Sequence, residues 1–529
     1  MKNKEKVRIF DTTLRDGQQC PGAGLRFEQN LEYARLASEL GVDVLEVGFP
    51  AASRTDFNIV KLLAEEIASA DKNISIAALC QLRDEQIDLT MEALLPARRF
   101  NKALLHTYVP VSPELMEVSL GAKADREKII KDTYSFIKRA SEAGYEVEFS
   151  PEGYSRQGDN LNFVSDLILA AVEAGVSIIN CPDTIGGAFE YQGENYFVEL
   201  MKLHADMVAK KFPERSIIWS VHCHNDFGLA VHNSVKAVFD GPARQIEGCI
   251  NGVGERAGNA ALESVIMIIK EFGDVRKSAP SIFTDVNISV LSKISDFVAK
   301  YMLPRQPHWP VTGDNAAKHS SGGHTNAVLK NPLAYQPFDP RVFGKNISIV
   351  FGPLSGGNHA QSIIEDLGYI CTNDEKSIIA QYVKDVYADR RKGITDNELL
   401  KAYFSYRSPI KIDSYDYSRT SSHVQLKVEG LIFDRSGSII EEYTGKDSAL
   451  AALKRLIDNS IETSILSHRS ESDGQGIQAE SVSKIRILCS GLEFEGEGRD
   501  SDIEISALKA FVDAVNNAYV ENHFRRSEL

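Results

Sequence analysis

His222 and His224 flank Cys223 in the run His222-Cys223-His224-Asn225-Asp226, a spacing with a definite chemical use. Side chains alternate along a strand, so the two imidazoles share one face while Cys223 turns away, and two neighbouring histidines can then reach one cation. Alone, a His-x-His pair is more often a surface or core feature than a ligand pair. Near the start of the chain, Phe10-Asp11-Thr12-Thr13-Leu14-Arg15-Asp16-Gly17-Gln18 sets a carboxylate, Asp16, beside a guanidinium, Arg15. With Asn259, which closes Asn251-Gly252-Val253-Gly254-Glu255-Arg256-Ala257-Gly258-Asn259, these residues would supply a carboxylate, two imidazoles and an amide oxygen. A mixed oxygen and nitrogen set without thiolates suits a divalent ion of intermediate hardness, and Mg²⁺, Mn²⁺ and Zn²⁺ all stay open. Arg15 could stabilise negative charge developing on an oxygen there, or simply form a surface ion pair. Asn225 and Asp226 could orient an imidazole from behind, or close a turn.

Such a site needs elements that bring residues 16, 152, 184, 222 and 259 to one place. From Val7 to about Gly273, short β-rich runs alternate with amphipathic helical stretches, the rhythm of a parallel sheet. The expected strands are Val7–Thr13, Asp43–Phe49, Ile74–Cys80, Ala103–Val109, Glu146–Ser150, Ser177–Cys181, Ile217–His224 and Gln245–Asn251. Between them, Glu28–Leu40, Phe57–Ala68, Arg126–Ala143, Phe163–Ala174 and Ala260–Phe272 have helical period. Leu40-Gly41, Ala143-Gly144 and Ala174-Gly175 read as helix ends followed at once by a strand. The pattern predicts an α/β fold, a (β/α)₈ TIM barrel with its site at the C-terminal ends of the strands. Asp16, Glu46, His106, Glu152, Thr184, His222, His224 and the loop to Asn259 all fall at that end.

Beyond Gly273 the rhythm breaks into irregular chain, including Leu303–Pro310 and Ser320-Ser321-Gly322-Gly323-His324, and then further helices to about Tyr406. The charged stretch Val383–Asp396 reads as helical. Val424–Phe433 and Ile485–Phe494 alternate like strands and are each followed by a helix, Lys446–Asn459 and Ile503–Asn517, a duplicated β-then-α module of regulatory type. Ser467–Gly476 reads as a mobile loop. The expected domains are therefore 1–280, a catalytic barrel; 281–406, appended helical subdomains; and 407–529, a C-terminal α+β regulatory domain.

A net charge of −15 over 529 residues argues against a nucleic-acid backbone as partner, because phosphate binding needs a basic face. No long apolar run or apolar leader occurs, so neither a membrane partner nor a signal peptide is expected, and the chain reads as cytoplasmic. Its 7 scattered cysteines contain no Cys-x-x-Cys pair and read as buried thiols.

The motifs themselves carry a resemblance. Asp11–Gln19, Leu45-Glu46-Val47-Gly48-Phe49-Pro50-Ala51 and Asn251–Asn259 resemble the α-isopropylmalate synthase branch of the acetyl-CoA-dependent metallo-Claisen enzymes. Gln18 stands where the family commonly has Glu. The resemblance implies a divalent metal held by Asp16, His222, His224 and Asn259, with Arg15 activating the substrate carbonyl. It implies Thr184 holding the carboxylate of a 2-oxo acid, and Glu152 as an active-site glutamate. His324 and Tyr335 match residues that similar enzymes supply from the appended subdomain to the partner's site in a homodimer. His324 and Glu152 are the expected acid–base pair, with the choice of base open. His106, Leu105 and Tyr108 are expected to shape the substrate's side-chain pocket. The implied reaction condenses acetyl-CoA, as co-substrate, with 2-oxoisovalerate. The C-terminal part resembles the family's leucine-binding domain through Leu431–Gly437, Gly445–Leu450 and Gly498–Ala507, although Gly474–Glu480 departs from the usual run. Citramalate or homocitrate synthesis, a biotin-dependent carboxyltransferase and a degenerate amino-acid sensor are the rival readings.

Overall fold

The computed structural model describes residues 4–69, 74–121, 124–189, 197–274, 280–320, 324, 327–328, 330–389, 393–444, 448–473 and 480–526. The motif residues Ser321, Gly322 and Gly323 and the stretches 445–447 and 474–479 singled out in the sequence lie outside the described residues.

Eight parallel strands close into a barrel: β1 Arg8–Asp11, β2 Val44–Glu46, β3 Ser75–Gln81, β4 Ala103–Pro110, β5 Glu146–Glu152, β6 Ile178–Asp183, β7 Ile218–Cys223 and β8 Ala243–Gly248. Closure is completed by β1, whose Arg8 to Asp11 pair in register with Gln245 to Gly248 of β8. Helices α1 Phe27–Leu40, α2 Arg54–Ala68, α3 Asp84–Arg98, α4 Pro113–Leu120, α5 Arg126–Glu142, α6 Leu161–Ala174, α7 Phe197–Lys211, α8 Ala230–Phe239 and α9 Leu262–Phe272 run between and after the strands. Local chemistry sets several of their ends. Ser53 caps α2 by accepting from Asp56 N, Asp125 caps α5 by accepting from Lys128 N, and Gly41 ends α1 in the left-handed conformation, φ 80°. The apolar stripes of these helices and the outward strand residues form one continuous core.

Side-chain alternation splits every barrel strand. Leu105 faces the helices and joins that outer core, whereas Leu104 joins Phe10, Val44, Ala77 and Ile178 in a separate cluster that fills one level of the lumen. Two residues further along their strands come Glu46, His106 and Asn180, so the lumen changes from apolar to polar towards the C-terminal ends.

The sequence-derived strand ends move inward in places. β2 stops at Glu46 rather than Phe49, because the chain turns away at Gly48, φ 146°. β8 stops at Gly248 rather than Asn251, and β7 stops at Cys223, leaving His224 in an isolated bridge with Asn259.

The chain divides into two compact units, residues 1–317 with 337–347, and 318–336 with 348–529. In the first, α10 Leu291–Tyr301 adds Leu291, Ile294 and Val298 to the barrel's outer core. In the second, α11 Gly357–Asp366, α12 Lys376–Val386 and α13 Asp396–Arg407 share a core with Phe351 and Tyr403. The single helix expected over Val383–Asp396 is instead the end of α12 and the start of α13, whose Thr395 and Glu398 form a capping box.

The C-terminal repeat has three strands and a helix in each half, rather than one strand and a helix. β9 Ile410–Arg419, β10 His423–Ile432 and β11 Arg435–Thr444 precede α14 Ala449–Asp458; β12 Ser464–Asp473, β13 Glu480–Cys489 and β14 Leu492–Asp500 precede α15 Ile503–Phe524. The run Ile485–Phe494 is therefore a hairpin, turned by Ser490 and Gly491 at φ 50° and 81°. Ser467–Asp473, expected as loop, is the second part of strand β12, paired antiparallel with Glu480–Arg486 of β13.

Candidate active site

The loop after β1 is held by its own motif. Asp11 accepts from Thr13 N, Thr13 Oγ1 and Tyr33 Oη, and Thr13 Oγ1 in turn accepts from Ile250 N across to the loop after β8. Thr12 Oγ1 donates to Glu46 Oε2 at 2.6 Å. Arg15 Nε donates to that same oxygen at 2.7 Å, and its Nη1 donates to Asp16 Oδ2 at 2.6 Å. Glu46 is fully buried, so its desolvation alone would raise its pKa; Arg15, His106 and Thr12 outweigh burial and hold it well below the carboxylate range. Glu46 thereby fixes Arg15 as a charged, aimed group at the barrel mouth.

Asp16, His222 and His224 are the one group among the described residues whose ligand atoms all lie within 4.8 Å of one another. His222 Nε2 and His224 Nε2 face each other at 3.4 Å, and Asp16 Oδ2 is 3.9 Å from His222 Nε2. Burial, chiefly, brings both histidines down to about 4, so at neutral pH they are uncharged imidazoles with a lone pair to offer. Burial would raise Asp16, but the Arg15 guanidinium beside it and the Asn259 amide keep it low, hence ionised. Asn259 Nδ2 donates to Asp16 Oδ1 at 2.8 Å and to Val253 O at 3.0 Å, while its Oδ1 is buried with no hydrogen-bond partner among the described residues. A buried amide oxygen left unpaired costs about 1–3 kcal/mol. A cation beside Asp16, His222 and His224 would remove that cost, so these four residues fit a divalent metal. The loop is shaped for it: a Cβ on Gly254, at φ 157°, would lie 2.3 Å from Asn259 Nδ2.

The sequence pattern did not show the layer behind these residues. Glu247 Oε2 lies 3.0 Å from His222 Nδ1, a contact that engages this nitrogen and turns Nε2 toward Asp16 and His224. Glu247 and Glu148 are both fully buried carboxyls, and both are raised, foremost by burial. Glu148 also accepts from Gln245 Nε2 at 2.9 Å, a bond that crosses the lumen from β8 to β5. The available signal was acidic residues at inward positions of buried strands. Asn225 and Asp226 do not orient the imidazoles: Asn225 Oδ1 accepts from Ala230 N, and Asp226 pairs with Arg256.

A cavity of about 250 Å³ opens at this end of the barrel, lined by Arg15, Asp16, Leu79, His106, Tyr108, Ser150, Glu152, Asn180, Thr184, His222, His224 and Arg256, among others. His106 is buried with both ring nitrogens engaged, Nδ1 at 2.8 Å from Glu46 Oε1 and Nε2 at 2.8 Å from Ser150 Oγ. Leu105, expected at the pocket, points outward, and Leu79 takes the apolar position. Thr184 Oγ1 accepts from Gly153 N at 2.9 Å, which leaves its hydroxyl proton to donate. Glu152 has its pKa raised by burial, with Arg15 opposing. Asn259 lies behind the cavity wall rather than in it. His324 and Tyr335 belong to the second unit, where both are exposed and their rings stack at 4.0 Å.

A closed barrel with an Asp/His/His group at its mouth defines a class, and comparison with known proteins agrees. The HMGL-like family model matches residues 6–298, the homocitrate synthase post-HMGL domain-like model residues 311–392, and the LeuA allosteric (dimerisation) domain model residues 399–519. 2-Isopropylmalate synthase of Aquifex aeolicus is 33% identical over 548 residues, covering 99% of this chain and 98% of that protein. The Staphylococcus epidermidis and Bradyrhizobium diazoefficiens enzymes of the same name are 31% and 32% identical, each covering 97% of this chain and 97% and 95% of their own lengths. The chain belongs to the 2-isopropylmalate synthase family, within the HMGL-like group. Among the described residues no helix is long and apolar enough to cross a membrane.

Proposed function

We propose that the protein condenses acetyl-CoA with 2-oxoisovalerate and hydrolyses the product thioester to 2-isopropylmalate and CoA. The observation that carries this reading is the convergence of Asp16, His222 and His224 with Arg15 on one cavity, with Asn259 hydrogen-bonded to Asp16 from behind its wall. A divalent ion held there supplies Lewis-acid charge to the 2-oxo acid when bound. Thr184 donates its hydroxyl proton to the acid's carboxylate. Arg15, locked by Glu46, offsets the negative charge that grows on the keto oxygen as the new bond forms. Glu152 and the partner subunit's His324, with the partner subunit's Tyr335, share the proton transfers. One removes a proton from the acetyl methyl, whose carbon then bonds to the keto carbon; the keto oxygen is protonated to a hydroxyl, and water cleaves the C–S bond to release CoA.

On this reading residues 1–280 carry the catalytic barrel, 281–406 the subdomains that serve the partner's site, and 407–529 a leucine-responsive regulatory domain in a cytoplasmic homodimer. Supporting it is the match to a dimerisation domain.

Thiol release from acetyl-CoA tests the function. It is expected to require both 2-oxoisovalerate and a divalent metal, with Mg²⁺, Mn²⁺ and Zn²⁺ compared in parallel. Equal or faster turnover with pyruvate would move the activity to citramalate synthesis, and with 2-oxoglutarate to homocitrate synthesis.

A further inference from the structure

Arg256 holds an unusual position for so long a side chain. Its backbone is left-handed, φ 55°, in a loop whose other positive-φ residues are glycines and an asparagine. The side chain makes a two-point pair with Asp226, Nε to Oδ1 at 2.9 Å and Nη2 to Oδ2 at 3.1 Å, and the same Nη2 donates to Thr184 O at 2.8 Å. One guanidinium thus ties together the loops after β6, β7 and β8. The first two loops already approach closely: a Cβ on Gly186 would lie 2.6 Å from Asp226 N. Asp183 braces the β6 loop from its other side, accepting from Ser155 Oγ at 2.7 Å and from Ala188 N at 3.0 Å.

The consequence falls on Thr184. Its carbonyl is held by Arg256 and its hydroxyl oxygen accepts from Gly153 N, so the residue is fixed at both ends and its hydroxyl proton has one direction left, the cavity. We propose that Arg256 is a positioning residue for 2-oxo acid binding, acting through Thr184 by clamping the β6 and β7 loops together. The inference rests on the functional reading above, in which Thr184 takes the substrate carboxylate. It differs from a direct role, in which the half-exposed guanidinium would itself hold a phosphate of acetyl-CoA. A planar fork is needed for the geometry seen: lysine can reach one acceptor but cannot span a carboxylate and a carbonyl together.

The experiment is a double-mutant cycle on the metal-loaded full chain, using Arg256→Met, Arg256→Lys, Thr184→Val and the Met/Val double variant. Calorimetric titration with 2-oxoisovalerate reads binding, and steady-state kinetics read the KM for each substrate. Arg256→Met is expected to weaken 2-oxoisovalerate about tenfold, the loss of one charge-assisted hydrogen bond. Bound metal and the KM for acetyl-CoA should stay at wild-type values, and Arg256→Lys should recover part of the loss. In the Thr184→Val background the same change should add nothing. A fully additive loss there, or a raised KM for acetyl-CoA, would overturn the positioning role. So would an Arg256→Lys variant that binds the acid as poorly as Arg256→Met with an equally lowered melting temperature, since that marks a purely structural residue. A wild-type protein that takes up no 2-oxo acid would overturn the functional reading together with this inference; wild-type binding with an additive cycle overturns only the role of Arg256.

Discussion

The barrel lumen and the C-terminal sheets use the same two-residue alternation to opposite ends. In the barrel both faces of every strand are covered, so an inward polar residue is buried and has to be paired, and the pairing is what aims it. Glu46 holds Thr12, Arg15 and His106 at once, and Glu247 holds His222. In the C-terminal unit the two sheets share one core with α14 and α15 and leave apolar residues open on their other side. Ile485 and Ile487 of β13 are buried, while Leu488 of the same strand and Leu466 and Leu492 of its neighbours are exposed. A covered sheet makes a rigid site; a half-covered one keeps an apolar face available to another chain.

Experiments can break or sharpen this contrast. The largest effect is expected from Asp16→Ala, which removes a ligand candidate and the charge partner of Arg15. kcat should fall by about a thousandfold and bound metal should be lost, with the far-UV spectrum unchanged. Activity and metal content both retained would dismiss the site. Next comes Glu152→Gln, with an expected loss of about a hundredfold. The raised pKa of Glu152 means that, as a base, it becomes active only as pH rises through that value, so the wild-type rate should decline as pH falls and the variant should lack this acid limb. A limb that survives in Glu152→Gln would assign it to another group.

Glu247→Gln is expected to weaken metal binding by about tenfold or more, because the amide can turn its NH2 instead of its oxygen to His222 Nδ1 and so no longer fixes that imidazole. Metal titration by calorimetry checks it, and an unchanged affinity would remove Glu247 from the site. The smallest effect on catalysis belongs to the other region. Leu453→Ala, in a fully buried position of α14, should destabilise the C-terminal core by about 2–5 kcal/mol while metal affinity of the barrel stays at the wild-type value. An equal loss of metal affinity would show that the two cores do not answer separately. In the full chain, inhibition of thiol release by millimolar leucine is expected to disappear in the same variant; an enzyme indifferent to leucine from the start would end the regulatory proposal.

Much of this was legible before any coordinates. The period of the barrel strands, the glycine helix ends and the motif residues Arg15, Asp16, His222 and His224 are local signals, because alternation and capping act over a few residues. The strand ends and the hairpins of the C-terminal repeat were less so, since where pairing stops depends on the neighbour strand, as β2 shows by stopping at Glu46. Leu105 and Leu79 were indistinguishable in sequence. Which of two apolar residues reaches the cavity depends on strand phase and on how far each strand extends.

The chain alone carries the class of chemistry: the types of residue that can hold a divalent ion and a carboxylate, and the order in which a βα barrel must present them. How those groups are held emerges only on folding. Glu46 to His106, Gln245 to Glu148 and Arg256 to Thr184 join residues 60, 97 and 72 positions apart. Such pairs leave no periodic trace in a chain, because hydrogen bonds across a lumen or between loops depend on where strands meet rather than on spacing along the sequence. Burial in turn leaves His222 and His224 as neutral imidazoles, while Arg15 keeps Asp16 ionised against the effect of burial.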